Sequence, residues 1–534
     1  MKHFKITFRP AGKTAFVPEG TSILEAAAGA GIVLNTVCGG KGICGKCVVI
    51  IDGKEVLACQ YKVEGDIAVN TDTAGQNGSR LTRLKILEGG IDIRGKIEPD
   101  IYRKYVDSTG SPQAGAGSER IFGLAADIGT TTVVVKLIDM KSGDCIAVQS
   151  GINPQTRFGD DVISRIGYAG TRKGLGELHR LIIDCLNELT GALCRKSGID
   201  RKEIYEASVV GNTAMNHLFL KMPVKGLGQA PHKAYNLEAQ QLYPSEIGLQ
   251  INPHGNIYAV AGVGSFVGSD TTAAALATGI GEADKKTLLV DIGTNSEVVL
   301  GDKDRLLAAS CAAGPAFEGA RISRGSRAVE GAIEAVEWNG QDLTVKVIGS
   351  QAANDARSIC GSGLIDALAV LVELGIIDST GRIARKEGLK ENLSRLITEE
   401  DGQAAVLIAR GKKEILLTQK DIRQLQLAKA AIRAGIRILQ RKLGLNDEDI
   451  EQVFLAGAFG NFLRKESALR IGLLPNLPLE RIHFTGNAAC SGAEMTLLSS
   501  RERFSSSELA RRIECVETAK EADFEEVFAK EMHF

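Results

Sequence analysis

One short pattern occurs twice in this 534-residue sequence, and it constrains the fold more than any other feature. An apolar run ends in Asp127-Ile-Gly-Thr, and a second apolar run begins at Val133. The same arrangement recurs at Asp291-Ile-Gly-Thr, followed by an apolar run from Val298. A repeated strand–turn–strand unit indicates a duplicated architecture. The sequence therefore predicts an α/β protein whose second body consists of two halves, 121–281 and 282–534.

Both turns carry the residue types that bind phosphate. Glycine and threonine present backbone amides and hydroxyls, while an aspartate at the end of a strand can hold Mg²⁺ or its waters. Two facing copies would hold one nucleotide's phosphates from opposite sides, whereas coincident β-turns remain the alternative. We assign catalytic roles to Asp127 and Asp291. The predicted phosphate-binding residues are Gly129, Thr130, Thr131, Thr132, Gly293, Thr294 and Asn295.

A second feature is a glycine-rich loop that contains four closely spaced cysteines. Their spacing is C-x5-C-x2-C-x11-C, with one more residue in the first gap than the plant-type ferredoxin pattern. Thiolates hold iron, and glycine allows the backbone to wrap closely around a cluster. We therefore predict a [2Fe–2S] cluster. Its predicted ligands are Cys38, Cys44, Cys47 and Cys59.

Zinc is the alternative metal for these cysteines. Structural zinc sites usually show two separate C-x2-C pairs, and this loop contains one such pair. The seven histidines show no paired spacing, so a histidine metal site is not expected.

The elements around the cysteine loop form a small α/β unit over residues 1–75. Phe4–Phe8 alternates like a strand, Ser22 and Glu25 form a capping box before a short helix, and Asp52-Gly53 marks a hairpin turn. This order of hairpin, helix, cysteine loop and hairpin resembles the β-grasp ferredoxin domain.

Residues 76–120 carry few candidate core residues. The stretch 109–119 is rich in glycine, serine and proline, which indicates a flexible linker. Such a linker would let an electron-carrying domain approach both a donor and an acceptor, while a passive spacer is the alternative.

The duplicated part resembles the superfamily of acetate and sugar kinases, heat-shock chaperones and actin. In that fold, two RNase-H-like halves close over ATP and Mg²⁺. The resemblance assigns 127–132 and 291–295 as the two phosphate loops, and it assigns 453–461 as the adenosine motif. The residues expected at adenosine are Gly457, Ala458 and Gly460. The small-residue turn 486–493 is a second candidate, with close helix packing as its alternative reading.

Two glutamates are candidates for positioning the attacking water. Glu297 follows the second phosphate turn, and Glu318 lies in a glycine-rich loop beyond it. A carboxylate within reach of the water can act as a general base. A structural role is the alternative for each of them.

The whole chain resembles the reductive activators of corrinoid proteins. The segments that carry this resemblance include LNTVCGGKGICGKC, LAADIGTTTVVVKL, VDIGTNSEVVLG and LAGAFGNFL, in that order. The resemblance implies ATP-dependent transfer of one electron from a [2Fe–2S] cluster to the Co(II) form of a corrinoid protein in a methyl-transfer system. It implies a corrinoid protein and a low-potential electron donor as partners, and it leaves a homodimer open. A small-molecule kinase with a ferredoxin appendage and a nucleotide-gated redox sensor are the alternatives.

Composition bounds the remaining possibilities. The net charge of −1 argues against nucleic acid or an anionic membrane as the main partner. No apolar run reaches the length of a transmembrane helix. Eleven cysteines without a secretion signal indicate a reducing compartment, so we expect a cytoplasmic protein.

The cysteine loop generates a first prediction. Cys44→Ser or Cys59→Ser should abolish the visible absorption of the purified red-brown protein, because each removes a thiolate from the cluster. ATP binding should persist, because the nucleotide site lies in a separate domain. Metal analysis and absorption spectroscopy measure the outcome, and one zinc with no iron after anaerobic purification would contradict it.

Overall fold

The computed structural model describes residues 2–10, 12–30, 32, 34, 47–71, 90–106, 120–159, 161–350, 352–411, 414–457 and 463–534. The chain divides into two compact units. The first comprises Met1–Leu84 and Pro154–Tyr168, and the second comprises Lys85–Asn153 and Ala169–Phe534.

The first unit contains a five-stranded sheet. Its elements are β1 (His3–Arg9), β2 (Lys13–Pro18), α1 (Ile23–Gly29), β3 (Val48–Ile51), β4 (Lys54–Leu57), β5 (Ile67–Asn70) and α2 (Val162–Tyr168). The strand order is β2-β1-β5-β3-β4, with β1 parallel to β5 and the other pairs antiparallel. This arrangement confirms the predicted β-grasp fold.

Local sequence signals explain these elements. The backbone N–H of Ser22 donates to the Glu25 carboxylate at 2.8 Å, and the Ser22 hydroxyl accepts from the Glu25 N–H at 3.2 Å. This capping box starts α1 as predicted. Asp52 and Gly53 both have positive φ, which is the geometry that a two-residue hairpin turn requires.

The first half of the second unit contains a six-stranded sheet. Its elements are β6 (Phe122–Ile128), β7 (Thr132–Asp139), β8 (Cys145–Ile152), α3 (Arg172–Ser197), β9 (Ile204–Gly211), α4 (Thr213–Phe219), β10 (Gln240–Leu242), α5 (Pro244–Ile247), β11 (Asn256–Ala259) and α6 (Ser269–Thr278). The strand order is β10-β11-β9-β6-β7-β8. The strands β6, β7 and β8 form an antiparallel meander, while β9 and β11 run parallel to β6.

The second half begins with another meander. Its elements as far as its long central helix are β12 (Thr287–Asp291), β13 (Ser296–Gly301), β14 (Leu306–Cys311), β15 (Ala332–Trp338), β16 (Leu343–Val347), β17 (Ser358–Ile359), α7 (Gly361–Glu373), α8 (Glu391–Ser394), β18 (Ile397–Glu400), β19 (Gln403–Arg410), β20 (Glu414–Thr418) and α9 (Gln419–Leu443). The strands β15–β20 form two small sheets beside the main one.

The remaining elements complete the main sheet. They are β21 (Gln452–Ala456), α10 (Lys465–Arg470), β22 (Ile482–Gly486), α11 (Ala488–Leu498), α12 (Ser500–Arg512), β23 (Ile513–Cys515) and α13 (Phe524–Lys530). The strand order β22-β21-β12-β13-β14-β23 repeats the layout of the first half, because β21 and β22 run parallel to β12 and the meander β12–β14 is antiparallel. The duplication predicted from the sequence is therefore confirmed as two RNase-H-like halves.

Residues 90–106, which we call the strap, lie within the stretch expected to be a linker. The strap contains a 3-10 helix, Ile101–Tyr105, and it belongs to the second unit. The Asp100 N–H donates to the Leu498 carbonyl at 3.0 Å, and Ile93 and Ile101 are buried. Two buried isoleucines and backbone hydrogen bonds make 90–106 packed structure. The stretch 109–119, for which the sequence predicts a flexible linker, lies outside the described residues.

The strap also contributes to a buried polar cluster around Glu206 on β9. The Tyr105 hydroxyl donates to this fully buried carboxylate at 2.7 Å, Arg503 donates at 2.8 Å, and Asn256 donates at 3.0 Å. A buried charge is tolerated only when it is paired and hydrogen-bonded. This cluster therefore links the strap to β9, β11 and α12.

Helix α11 follows β22 of the second half but packs against β6, β9 and α6 of the first half. The Ser208 and Thr496 hydroxyls lie 2.7 Å apart in this contact. A Cβ atom at Gly492 would lie 2.1 Å from the Ala273 carbonyl oxygen on α6, so only glycine permits this helix–helix approach. The contact joins the two halves through their helices.

The close contact at Gly492 predicts that an added methyl group there lowers stability. Gly492→Ala should lower the free energy of unfolding by about 1–3 kcal/mol, because the helices must move apart. Gly176→Ala on α3 is the matched control, since a Cβ there meets no atom within 4 Å. Alanine at an unobstructed helix position should be neutral or stabilising by about 1 kcal/mol. Urea denaturation measures both, and equal stability of the two variants would contradict the proposed contact.

Candidate nucleotide site and cluster site

The two Asp-x-Gly-Thr turns meet where the halves join. Asp127 lies near the end of β6, and Asp291 is the last residue of β12. The hydroxyl oxygens of Thr131 and Thr294 are 3.4 Å apart. The structure therefore brings together the two turns that the sequence singled out.

Two asparagine side chains support the first turn. Asn153 donates to the Gly129 carbonyl at 2.9 Å, and Asn212 donates to the Thr130 hydroxyl at 2.9 Å. A Cβ at Gly129 would lie 2.7 Å from the Thr132 carbonyl oxygen, so this turn requires glycine. Its backbone is thus held in one conformation.

The second turn is held by Glu318, one of the predicted carboxylates. The Thr294 hydroxyl donates to the Glu318 carboxylate, and the Gly314 N–H donates to the Thr294 carbonyl at 3.0 Å. Glu297 lies elsewhere, on β13 in register with Asp291, and it accepts from the Ser310 hydroxyl at 3.3 Å. The two candidate glutamates therefore contact different parts of the site.

A further carboxylate, Asp270 in the first turn of α6, joins the group, although the sequence analysis did not single it out. Its signal was weak, because Gly-Ser-Asp before an alanine-rich run is typical of any helix start. Its placement depends on Gly268, where a Cβ would lie 2.4 Å from the Asn212 Cα. That close approach cannot be deduced from spacing.

The carboxylates affect one another electrostatically. The largely buried surroundings raise the pKa of Asp127 to about 6. Similar surroundings, with the nearby Asp127 charge, raise the pKa of Asp270 to about 7. Such surroundings, with the Asp270 and Asp127 charges, raise the pKa of Asp291 to about 8. The pKa of Glu297 is also raised, mainly by burial. A bound cation would relieve this repulsion.

These carboxylates fit a Mg²⁺–nucleotide complex better than an all-protein metal cage. Across the described part of the chain, no three His, Cys, Asp or Glu side chains are arranged to ligate one metal ion. Mg²⁺ usually takes one or two carboxylates and completes its shell with water and phosphate oxygens. Asp127 and Asp291 are partly accessible and match that requirement.

Gly457 lies directly beside the second aspartate. It has φ of 95°, and a Cβ there would lie 2.7 Å from Asp291 Oδ1. Its N–H donates to the Gly486 carbonyl at 3.0 Å. The other two residues predicted at adenosine, Ala458 and Gly460, lie outside the described residues.

The turn that opens α11 contacts the first aspartate. The Asn487 side chain donates to Asp127 Oδ2 at 2.9 Å. The small residues of this turn made it a candidate for adenosine contact, and in the structure it lies against the carboxylate.

Two of the predicted cluster ligands are described. Cys47 and Cys59 are buried, and their sulfur atoms are 3.2 Å apart. The Ala58 N–H donates to the Cys47 carbonyl at 2.8 Å, which holds the two segments together. Adjacent thiols with no disulfide between them suit a shared metal centre. Cys38 and Cys44 lie outside the described residues.

Comparison with known families accounts for both sites. Residues 6–70 match the 2Fe-2S iron-sulfur cluster binding domain. Residues 122–283 match the RACo middle region, and 285–534 match the C-terminal domain of RACo, the ASKHA domain. The chain therefore combines a ferredoxin domain with an ASKHA-type ATPase, and the predicted cofactors, a [2Fe–2S] cluster and ATP with Mg²⁺, are confirmed.

Relatives of known function cover almost the whole chain. The corrinoid activation enzyme RamQ of Eubacterium limosum is 34% identical, with 96% of each chain covered. A [Co(II) methylated amine-specific corrinoid protein] reductase of Methanosarcina barkeri is 25% identical over 71% of each chain. A solved reductive activator for corrinoid, iron-sulfur protein is 32% identical, with a TM-score of 0.74 and coverage of 99% of this chain and 98% of that chain. The protein belongs to the family of reductive activators of corrinoid proteins.

The structure gives one further observation on the chain. Within its described ranges, none of the helices combines the length and apolar character that crossing a membrane requires.

The carboxylate group predicts a pH dependence of the nucleotide-free protein. A carboxylate whose pKa is raised by folding binds more protons in the folded state, so stability falls as pH rises from its unfolded to its folded pKa. The melting temperature should therefore fall between about pH 4 and pH 8. Asp291→Asn should flatten this dependence, and the exposed Asp184→Asn should not. Calorimetry across this range measures it, and identical profiles for all three proteins would contradict the interpretation.

Proposed function

We propose that this protein is an ATP-hydrolysing reductase that passes one electron to the Co(II) form of a corrinoid protein and restores Co(I) in a methyl-transfer system. The [2Fe–2S] cluster supplies the electron. The observation that carries the proposal is the presence, in one chain, of adjacent buried thiols in a β-grasp fold and two facing Asp-x-Gly-Thr turns. The names of the full-length relatives support the same activity.

The energetics explain why a nucleotide site accompanies an electron carrier. Plant-type clusters have potentials near about −400 mV. Each further 59 mV or so by which an acceptor lies below its donor lowers a one-electron equilibrium tenfold. ATP can offset such a deficit only by binding one state of the complex better than another. We therefore propose that nucleotide and corrinoid partner alter each other's affinity, and linkage requires that both factors be equal.

Within the nucleotide site, we assign roles by contact. Asp127 and Asp291 hold Mg²⁺ or its waters, while the glycine and threonine groups of both turns bind phosphate oxygens. Glu318 holds the second turn through Thr294, so its role is to position that turn. These assignments follow the hydrogen bonds described above.

We propose Asp270 as a further candidate for the general base that activates the attacking water. It is partly accessible, and its pKa of about 7 allows it to accept a proton near neutral pH. Glu297 is buried on the strand beside Asp291 and accepts a hydrogen bond from Ser310. That Glu297 or Glu318 positions the attacking water stays a prediction, and Asp270 is a further candidate.

Several finer features belong to the same proposal. A one-electron carrier must be reduced again after each transfer, so the protein requires a low-potential electron donor.

No disulfide bond occurs among the cysteines in the described part of the chain, which is consistent with a reducing, cytoplasmic setting. Gly457 contacts adenosine in this scheme, together with Ala458 and Gly460. A homodimer stays a prediction.

The proposal predicts that the two aspartates are essential for turnover. Asp127→Asn and Asp291→Asn should each lower ATP hydrolysis and ATP-dependent Co(I) formation on the order of 100-fold or more, because each removes a charge that holds the metal–phosphate complex. The visible spectrum of the cluster should stay unchanged. Phosphate release and the optical spectrum of a Co(II) corrinoid protein measure the two activities.

The exposed Asp184→Asn is the matched control and should behave like the unmodified protein. Unmodified hydrolysis in either site variant would refute the nucleotide assignment. Phosphorylation of a metabolite would favour the small-molecule kinase. If the protein binds ATP but a corrinoid protein does not stimulate ATP hydrolysis, the result would favour the redox sensor.

A further inference from the structure

Asn487 is a buried residue of the second half that contacts the first phosphate turn. It is the N-cap of α11, and only 6% of its surface is exposed. Asp127, which it contacts, lies on β6 of the first half. This hydrogen bond therefore crosses from one half to the other at the candidate nucleotide site.

The hydrogen bonds fix which way the Asn487 amide group points. Its Oδ1 accepts from the Cys490 N–H at 2.8 Å, which is the helix cap. Its Nδ2 donates to Asp127 Oδ2 at 2.9 Å. A backbone N–H can only donate and an ionised carboxylate can only accept, so the reverse orientation would break both bonds. Asparagine is the side chain that satisfies both partners at once.

Helix α11 gives this residue a rigid support. Gly492 packs against the Ala273 carbonyl on α6, and Glu494 pairs with the buried Lys136 on β7. Both contacts lie on the first half, as does Asp127. A side chain on such a helix can hold a carboxylate more precisely than one on a loop.

We propose that Asn487 is a positioning residue for the nucleotide reaction: it holds Oδ2 of Asp127 so that the other carboxylate oxygen faces Mg²⁺ or its waters. This inference rests on the proposed nucleotide site. It gives the turn before α11 a function at the phosphates, where the sequence had suggested adenosine. The residue acts through Asp127 and does not touch the reacting atoms itself.

Three substitutions separate positioning from capping. Asn487→Ser keeps a helix cap and removes the amide donor, because serine caps helices about as well as asparagine. Asn487→Asp also keeps the cap but places a second carboxylate against Asp127. Asn487→Ala removes both the cap and the donor.

We expect Asn487→Ser to unfold at nearly the unmodified temperature. Its kcat for ATP hydrolysis should fall about tenfold, and the Mg²⁺ concentration for half-maximal binding of a non-hydrolysable ATP analogue should rise by a similar factor. Asn487→Asp should lower kcat further, and its charge against Asp127 should also lower the unfolding temperature. Calorimetric melting, Mg²⁺ titration of analogue binding and phosphate release measure these quantities.

Unmodified Mg²⁺ dependence and kcat in Asn487→Ser would overturn the inference, and loss of activity in Asn487→Ala beside an unmodified Asn487→Ser would show that Asn487 serves only as a helix cap. Asp127→Asn tests the site itself in the same assays. An active Asp127→Asn variant would refute the nucleotide site, whereas an inactive one beside an unmodified Asn487→Ser variant would refute only the positioning role. The double variant Asn487→Ser/Asp127→Asn should have a kcat no lower than that of Asp127→Asn alone, because Asn487 acts through Asp127.

Discussion

Burial of several carboxylates at the junction of the two halves is the constraint on which the site depends. Burial raises the pKa values of Asp127, Asp270, Asp291 and Glu297, and repulsion from neighbouring carboxylates adds to this effect at the last three. Such a group is stable as charged side chains only when a cation or hydrogen-bond donors compensate it. Asn487 supplies one donor, and the proposed metal–nucleotide complex would supply further compensation. These carboxylates therefore favour binding of a cation, because a bound cation offsets the cost of ionising them.

Duplication explains how so many carboxylates come together. Each half places its aspartate at the end of the first strand of an antiparallel meander, with parallel strands on the other side. Two copies of one topology thus point equivalent turns at one another. The remaining polar groups come from elements particular to each half, such as α6 and the loop of Glu318. In the proposed site, the symmetric turns would hold the phosphates, and the carboxylates of the asymmetric elements would act in hydrolysis.

Much of this architecture could be predicted because its signals are local. The paired Asp-x-Gly-Thr turns, the capping box at Ser22 and the cysteine spacing all depend on residues close in sequence. Asp270 was missed because its position depends on a tertiary approach of α6 to the Asn212 turn. The packing of the strap gives little local signal, because it depends on a few side chains such as Ile93, Ile101 and Tyr105 that meet distant parts of the chain. Local chemistry predicts which residues can bind, whereas long-range packing decides which of them meet.

The position of α11 has a consequence for how such proteins can be divided or recombined. The family matches separate near residue 284, yet the helix that covers β6, β9 and α6 lies far beyond that point, at Ala488–Leu498. A fragment ending at the boundary would expose the surface of β6, β9 and α6 that this helix covers. Halves exchanged between relatives at that junction would bring a foreign helix onto this surface. The two halves are therefore best exchanged together, and a viable chimera must move α11 with the sheet that it covers.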